Sequence, residues 1–248
     1  MKVLNQYKMA DNVSVPFLDS KISIQDLKNL EKAGSLITIF RELKKIEKIK
    51  DIKPNEKELK DKSGEILLKD LEQFDKQKNN EYYKNFLNKE IYKQTSITKF
   101  SLHKFEKEAL KIFNKRRATF YDQYIYSLLR NQNKNLIFEL YYQIESKESS
   151  INELARKYSS GSEKSKLGVV GPISLKDVHP KISQILISKE EAQINEPIFI
   201  NDQWYIIQKE TYIPAKYNAY YQNKICLELF EKDLDLDFLK FISQNNIN

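Results

Sequence analysis

The chain has 248 residues, of which 40% are apolar and 31% are charged, and its formal net charge is +7. This length suggests one large domain or two small ones, and the few glycines and prolines favour a mostly helical protein. The single cysteine, Cys226, excludes an intrachain disulfide and a metal site built from several thiolates.

Residues 20–118 show the periodicity of helices in a small bundle. Ser23, with Asp26 three residues later, is expected to cap a first helix. Apolar residues recur at helical spacing between Leu36 and Ile49, and Pro54 is expected to end that helix. Further apolar stripes predict core-facing helices, and they contain Leu67, Leu71 and Phe74, then Tyr83, Phe86, Leu87, Ile91 and Tyr92, and finally Leu102, Phe105, Ala109, Ile112 and Phe113.

The pattern changes near residue 120. Ser150-Ile-Asn-Glu153 is a capping box that opens a short helix, and Pro180 is expected to begin another. Asn201-Asp202 separates two short apolar runs and predicts a hairpin. Strands are predicted at about 122–130, 169–173, 197–200 and 203–208, and helices at about 136–144, 151–158 and 180–186. The predicted order along the chain is therefore strand, helix, helix, strand, helix, strand and strand.

After Pro214 the pattern becomes helical again, and Cys226 is expected to be a small buried residue of this helix. We predict an α+β fold in three parts. They are an N-terminal helical, chaperone-like domain at 1–120, an inserted domain with a small antiparallel sheet at 121–214, and a helix at 215–248 that packs on the first part. The apolar face of the last helix contains Leu227, Phe230, Leu234, Phe238 and Leu239.

Residues 122–213 resemble the parvulin (rotamase) family of peptidyl-prolyl cis/trans isomerases. The resemblance lies in Glu153-Leu-Ala-Arg-Lys-Tyr-Ser159, Leu167-Gly-Val-Val-Gly171, Pro180 and the run from Glu196 to Gln208. The helical flanks resemble those of SurA- and PrsA-type foldases, in which N-terminal helices and a C-terminal helix surround a parvulin insert. The resemblance implies isomerisation of Xaa-Pro bonds with no cofactor and no metal ion.

The polar residues that are usual in this family differ here. Ser127 and Tyr205 stand where parvulins have histidines, Ser160 or Gly161 replaces a Cys or Asp, and Leu167 replaces a turn glycine. We treat the hydroxyls of Ser127, Ser160 and Tyr205 as candidate catalytic groups, and ordinary strand positions are the alternative for Ser127 and Tyr205. The candidates for an apolar proline pocket, with core packing as the alternative, are Val169, Val178, Ile182 and Leu186.

The two histidines lie outside these motifs. His179 precedes Pro180 and is interpreted as an exposed turn residue, with contact to a bound peptide as the alternative. His103 is interpreted as a structural residue near the start of a helix.

Two functions are compatible with this pattern. The first is a weakly active foldase that isomerises Xaa-Pro bonds in unfolded or exported polypeptides. The alternative is a non-catalytic chaperone or secretion adaptor, which uses the domain to bind peptides and has a client or a secretion transporter as its partner. The absent histidines favour the second function.

Charge and hydropathy give expectations about partners and compartment. Residues 1–120 hold 27 Lys and Arg against 18 Asp and Glu, but the two signs interleave. We interpret this excess as a solvated helical surface and expect no nucleic-acid partner, with RNA or membrane-surface binding as the minor alternative. No segment approaches the ~20 apolar residues of a membrane-spanning helix, and the first ten residues contain no continuous apolar run. We therefore expect a soluble, cytoplasmic protein.

Overall fold

The computed structural model describes residues 14–17, 20–70 and 81–245, and it divides into two compact units. The first unit comprises Met1–Leu110 with Asn218–Asn248, and the second comprises Lys111–Tyr217. The fold class is α+β, as predicted. In chain order the elements are β1 (Ser14–Phe17), β2 (Ser20–Ser23), α1 (Ile24–Lys32), α2 (Leu36–Ile49), α3 (Glu56–Asp70), α4 (Glu81–Arg116), β3 (Gln123–Asn131), α5 (Lys134–Glu145), α6 (Ile151–Tyr158), β4 (Val169–Ile173), α7 (Pro180–Ser188), β5 (Ile198–Ile200), β6 (Gln203–Ile213) and α8 (Ala219–Asn245).

The first unit begins with an element that periodicity did not predict. Residues 20–23 were expected to be helical, but they form β2, which pairs antiparallel with β1. The predicted cap is confirmed, because the Ser23 hydroxyl accepts a hydrogen bond from the Asp26 backbone N–H at 3.0 Å. This hydrogen bond gives a partner to one of the backbone N–H groups that are otherwise unpaired in the first turn of a helix.

Helices α2 and α8 pack on each other through an aromatic contact and a row of ion pairs. The Phe40 ring lies 5.4 Å from Phe238 and 5.0 Å from Phe241, centroid to centroid. Beside these rings, Lys48 Nζ lies 2.8 Å from Asp233 and 2.6 Å from Asp237. Cys226 is buried in α8, as predicted.

Helix α4 is longer than its sequence pattern suggested. Two separate stripes were predicted, but residues 81–116 form one helix. Residues with hydroxyl groups interrupt the apolar pattern between the two stripes. The hydroxyls of Thr95 and Thr98 donate to the carbonyls of Ile91 and Gln94 one turn earlier, and these bonds are compatible with a helical backbone. His103 is exposed and lies in the interior of this helix, so its predicted position near a helix start was wrong. Of the predicted third helix, Leu71 and Phe74 lie outside the described residues.

The second unit is built on a four-stranded antiparallel sheet in the order β4-β3-β6-β5. The predicted element order is confirmed over the whole unit. Asn201 and Asp202 have φ values of 45° and 63°, as a two-residue hairpin with left-handed central residues requires. Strands β3 and β6 pair along their length, so that Arg130 lies opposite Tyr205 and Leu129 opposite Ile206.

The two faces of this sheet are both covered. Side chains alternate along a strand, so neighbouring residues of β3 face opposite sides. Leu128 packs in a cluster with α7, and Leu129 packs in another with α5 and α6. The α7-side cluster contains Tyr124, Tyr126, Leu128, Leu175, Ile182, Ile185, Leu186, Ile200, Tyr205 and Ile207.

A buried carboxylate holds together the start and the end of the second unit. Asp122, just before β3, accepts hydrogen bonds from the Tyr212 hydroxyl at 2.5 Å and from the Ala215 N–H at 2.8 Å. The hydrogen bond to Asp122 raises the pKa of Tyr212 to about 12, so this phenol stays protonated as a donor. The chain therefore enters and leaves the unit at adjacent points.

Candidate functional site

The turn between α6 and β4 is shaped by two glycines that leave room for neighbouring groups. A Cβ on Gly168 would lie 2.7 Å from both the Leu128 carbonyl oxygen and the Ala155 side chain, and its φ is +79°. A Cβ on Gly161 would lie only 2.0 Å from the Arg130 guanidinium. Gly161 therefore gives Arg130 the space to lie across the turn, and Gly168 lets the turn pack against β3.

Arg130 is fixed there by a carboxylate from the same turn. Its Nε and Nη2 donate to the two Glu163 oxygens at 3.1 and 3.0 Å, a bidentate pair in which the Glu163 side chain is 5% exposed. Ser159 also donates to Glu163 through its hydroxyl. Burial acts to raise the pKa of Glu163, but the hydrogen bonds from Ser159, its own backbone N–H and Arg130 outweigh it and lower that pKa. Glu163 is therefore an acceptor for Arg130 and is not a proton donor at neutral pH.

Two tyrosines lie next to this ion pair on the α7 side of the sheet. Contact with the Tyr205 hydroxyl, followed by the pair with Glu163, raises the pKa of Arg130 despite burial. Tyr126 and Tyr205 are 4% and 7% exposed. Burial raises the pKa of Tyr126 to about 12. At neutral pH Tyr126 and Arg130 are therefore both protonated, and they lie beside the Tyr205 hydroxyl.

Ser160 lies at the exposed edge of the same cluster. Its hydroxyl donates to the Arg130 carbonyl at 3.1 Å and accepts from the Gln203 side-chain amide at 3.4 Å. Gln203 is two residues from Tyr205 on β6. The structure thus brings two of the three candidate catalytic residues, Ser160 and Tyr205, together around Arg130.

Ser127 lies on the other face of the sheet. Its hydroxyl accepts a hydrogen bond from Asn152 of α6 at 3.0 Å, and the residue is fully buried. The same Asn152 amide donates to the Leu167 carbonyl at 2.9 Å. In this structure Ser127 ties β3 to α6 and the turn, away from Tyr205.

The four candidate pocket residues differ in exposure. Leu186 is completely buried and Ile182 is 7% exposed, so both contribute to packing of α7 on the sheet. Val178 is half-buried at the margin of that cluster, and Val169 is 37% exposed on the edge strand β4. Val178 therefore has surface at the margin of this cluster that a peptide can reach, and Ile182 lies in the cluster's interior. Val169 is paired with Ser127 in the β3–β4 ladder and so lies on the opposite face of the sheet.

His179 caps α7. Its Nδ1 accepts a hydrogen bond from the Lys181 N–H at 3.2 Å, and the side chain is half-buried. The interpretation as an exposed turn residue was therefore wrong. Pro180 occupies the first helical turn, as predicted.

The residues that organise this cluster were not predicted from the sequence. Arg130, Glu163, Ser159 and Tyr126 were not singled out, although Tyr126 and Arg130 lie within the strand predicted at about 122–130. The available signal was an arginine in an otherwise apolar strand, because an unpaired charge is rarely buried.

Comparison with known families identifies this unit. Residues 127–211 match the family described as Rotamase, PPIC-type PPIASE domain. This segment is a parvulin-type rotamase domain. The match covers Arg130 and Tyr205, the turn with Gly161 and Gly168, α7 and the hairpin, so it contains every site residue predicted from the sequence, and Tyr126 lies one position before its start.

Solved structures that are similar over most of the chain include three proteins with low sequence identity. The peptidylprolyl isomerase PrsA from Bacillus anthracis is 16% identical, with 85% of this chain and 98% of that chain covered and a TM-score of 0.38. PrsA from Bacillus cereus is 14% identical, with 95% and 89% covered and a TM-score of 0.43. A SurA-like chaperone from Campylobacter jejuni is 12% identical, with 94% and 98% covered and a TM-score of 0.39. Because these scores are low, the domain assignment depends on the family match. No curated protein matches the chain.

Across residues 20–70 and 81–245, none of the helices combines the length and the hydrophobicity needed to cross a membrane.

Proposed function

We propose that this protein is a foldase whose rotamase domain binds proline-containing segments of unfolded polypeptides and weakly accelerates cis/trans isomerisation of their Xaa-Pro bonds. The observation that carries the proposal is the rotamase domain at 127–211. The reaction makes and breaks no covalent bond, and its barrier of about 18–20 kcal/mol comes from amide resonance. A catalyst must therefore bind the twisted amide more tightly than either planar form.

Protonated donors beside an apolar surface suit this requirement. Twisting the amide removes conjugation, so the prolyl nitrogen gains a lone pair that can accept a hydrogen bond, whereas the planar nitrogen is a poor acceptor. Arg130 and Tyr126 are protonated donors at neutral pH, and the hydroxyl of Tyr205 next to them can also donate a hydrogen bond. A donor placed near that nitrogen stabilises the twisted state selectively. No general base is needed, so the histidines that are usual in the family are not required for this mode of catalysis.

Binding of the prolyl ring would use the apolar margin next to these donors. Val178 has accessible surface at the margin of the α7-side cluster, and Ile182 supports it from the interior. Lys181 anchors α7 to the hairpin by donating to the Phe199 carbonyl at 2.9 Å, which holds the helix and the strand at a fixed spacing. The small accessible apolar area is consistent with weak binding of a single proline.

The test is NMR exchange spectroscopy on a panel of Xaa-Pro peptides with wild type and Tyr205→Phe. Loss of one hydrogen bond to the twisted state should lower the rate enhancement about tenfold. Tyr142→Phe is the matched control, because that ring is 59% exposed on α5 and on the other side of the sheet. An equal effect of both variants, or a rate enhancement that survives Tyr205→Phe unchanged, would contradict this role for the hydroxyl.

A non-catalytic chaperone is the second candidate, and two observations favour it. The Arg130–Glu163 pair fills the space above Gly161, and Ser127 is turned to the opposite face. Under this alternative the rotamase domain holds peptides without accelerating isomerisation. The same panel separates the two functions, because suppressed aggregation of an unfolded client with no rate enhancement would support the chaperone.

A further inference from the structure

The rotamase domain carries three neighbouring aromatic rings that its proposed chemistry does not use. The Trp204 ring of β6 lies 5.6 Å from Phe138 of α5 and 5.2 Å from Phe199 of β5, centroid to centroid. Trp204 packs against the cluster formed with α5 and α6, whereas its neighbour Tyr205 packs in the α7-side cluster. The three rings therefore lie on the face of the sheet opposite to Tyr205. We call Phe138, Trp204 and Phe199 the aromatic row.

The aromatic row has surface that a ligand can reach. Phe199 is 46% exposed, and Phe138 and Trp204 are half-buried. Lys134 Nζ lies 5.2 Å from the Trp204 ring centroid and 5.7 Å from that of Phe138. Because Lys134 is itself exposed, its ammonium group can donate a hydrogen bond to a molecule that rests on these rings. Exposed rings give apolar contact at a low cost in side-chain entropy.

Two polar turns lie at the same end of the sheet as the aromatic row. Asn131, the last residue of β3, lies opposite Trp204, which brings the turn after β3 beside the tip of the β5–β6 hairpin. These turns carry four exposed polar side chains, which are Gln132, Asn133, Asn201 and Asp202. Three of the four are carboxamides, which can donate and accept hydrogen bonds.

The charge of this surface favours an uncharged ligand. Lys134 and Asp202 are the charged groups of the aromatic row and its turns, and their charges cancel. The charged residues next to it, Lys181 and Glu139, are again one of each sign. A nucleic acid or an anionic lipid surface would require an excess of cations. A sugar ring has an apolar C–H face that stacks on an aromatic ring, and its hydroxyls exchange hydrogen bonds with carboxamides. The surface therefore complements a carbohydrate.

The tilt between the rings distinguishes between kinds of carbohydrate. The plane of Trp204 is inclined by 49° to that of Phe199 and by 67° to that of Phe138. A flat, β-linked glucan of the cellulose type stacks best on rings that share one plane. An α-linked glucan of the amylose type is curved, so its successive sugar units can follow rings that are tilted to one another.

We propose that the aromatic row binds the curved chain of an α-linked glucan. Sugar units would stack on Phe199 and Trp204, and Lys134 with the two polar turns would bind their hydroxyls. Binding here uses neither a prolyl ring nor the donors around Arg130, so this inference does not depend on the proposed function.

The test is isothermal titration calorimetry of the full chain with maltoheptaose, a soluble α-linked glucan. Phe199→Ala removes the most exposed ring of the row, and Lys134→Ala removes the donor beside Trp204. We expect each change to raise the dissociation constant about fivefold, as the loss of one aromatic contact or one hydrogen bond implies. Phe120→Ala and Lys157→Ala are the matched controls and should bind as wild type does, because Phe120 is 47% exposed and Lys157 is exposed on α6.

Trp204 provides a second measurement in the wild-type protein. It is the only tryptophan, so the intrinsic fluorescence should change as maltoheptaose saturates the aromatic row. A fluorescence titration that gives the calorimetric dissociation constant would support the location of the ligand. Binding heat with no change in Trp204 fluorescence would contradict that location.

The other outcomes are equally decisive. No binding of maltoheptaose by wild type, or unchanged binding by both row variants, would overturn the inference. Cellohexaose, a β-linked glucan, should bind more weakly, and equal binding would refute the assignment to a curved chain. Tighter binding of a fluorescein-labelled oligouridylate or of phosphatidylglycerol vesicles would also overturn it, because the ligand would then be a nucleic acid or a lipid surface.

The same experiment separates this inference from the proposed function. Maltoheptaose binding by a protein with no isomerase activity would support the aromatic row while the catalytic proposal fails. Circular dichroism of each variant checks folding, and Lys134→Ala, at an exposed position, keeps the test valid if Phe199→Ala does not fold.

Discussion

Removing the arginine of the Arg130–Glu163 pair should destabilise the rotamase domain in a pH-dependent way. Arg130→Met leaves a carboxylate that is 5% exposed without its cation. Breaking a buried ion pair typically costs about 3–5 kcal/mol. The Arg130 side chain is 30% exposed, so water screens the pair partly, and we expect a loss of about 2 kcal/mol at pH 7.

The sign of the pH dependence follows from the pKa of Glu163 in wild type and in Arg130→Met. In wild type the pKa of Glu163 is held below its ordinary value of 4.5, so this group adds stability above that pH and loses it as the pH falls through the lowered pKa. In Arg130→Met the lowering effect of the guanidinium is lost while burial and the bonds from Ser159 and the backbone remain, so the pKa of Glu163 is higher than in wild type and its carboxylate adds less stability at pH 7. The difference in unfolding free energy between the two proteins should therefore be largest at pH 7 and shrink on acidification.

Urea unfolding, followed by the fluorescence of Trp204, measures this difference. Trp204 is the only tryptophan and lies on β6, so its emission reports on the rotamase domain. Glu163→Gln and the double variant Arg130→Met/Glu163→Gln complete the comparison. The double variant has lost both charges, so it contains no carboxylate without a cation. We expect a coupling energy of about 1–2 kcal/mol in this double-mutant cycle. A coupling below about 0.5 kcal/mol, or a difference that does not change with pH, would refute the reasoning.

Three further changes test the packing around the site by the same unfolding measurement. Leu167→Gly should raise the free energy of unfolding by about 0.5 kcal/mol. Leu167 has a left-handed backbone with φ of 56°, and the strain that glycine relieves there exceeds the entropic cost of glycine. A loss of stability would contradict this. Asp122→Asn should cost about 1–3 kcal/mol because it weakens two buried hydrogen bonds, and Tyr212→Phe, which removes one, should cost less. Leu129→Ala should cost about 2–5 kcal/mol, since the side chain is fully buried, and a smaller loss would mean that the cavity collapses.

Features with local causes were predictable from the sequence. The capping box at Ser150 and Glu153 and the start of α7 at Pro180 depend on residues that are close in the chain. The Asn201-Asp202 hairpin is equally local, because those two residue types tolerate the backbone that a tight turn needs. Local backbone chemistry thus defined most element boundaries in the rotamase domain.

The side of the sheet on which each strand residue lies was not predictable. Residues 126–129 are all buried, since both faces of β3 are covered by helices. A strand that is buried on both faces has no alternation of apolar and polar residues, and so its orientation cannot be inferred from the pattern. This is why Ser127 and Tyr205 were grouped, although the structure separates them. The pairing of Arg130 with Glu163 joins residues 33 positions apart and has no local signature.

The hydrogen bonds of Asp122 give the rotamase domain adjacent chain ends, as an inserted domain requires. Its two chain ends lie side by side because a single carboxylate binds the segments that precede β3 and follow β6. A domain with adjacent ends can be spliced into a surface loop of another protein with little distortion of that host. The same property recommends residues 111–217 as a fragment for isolated study, provided that Asp122 and Ala215 are both retained.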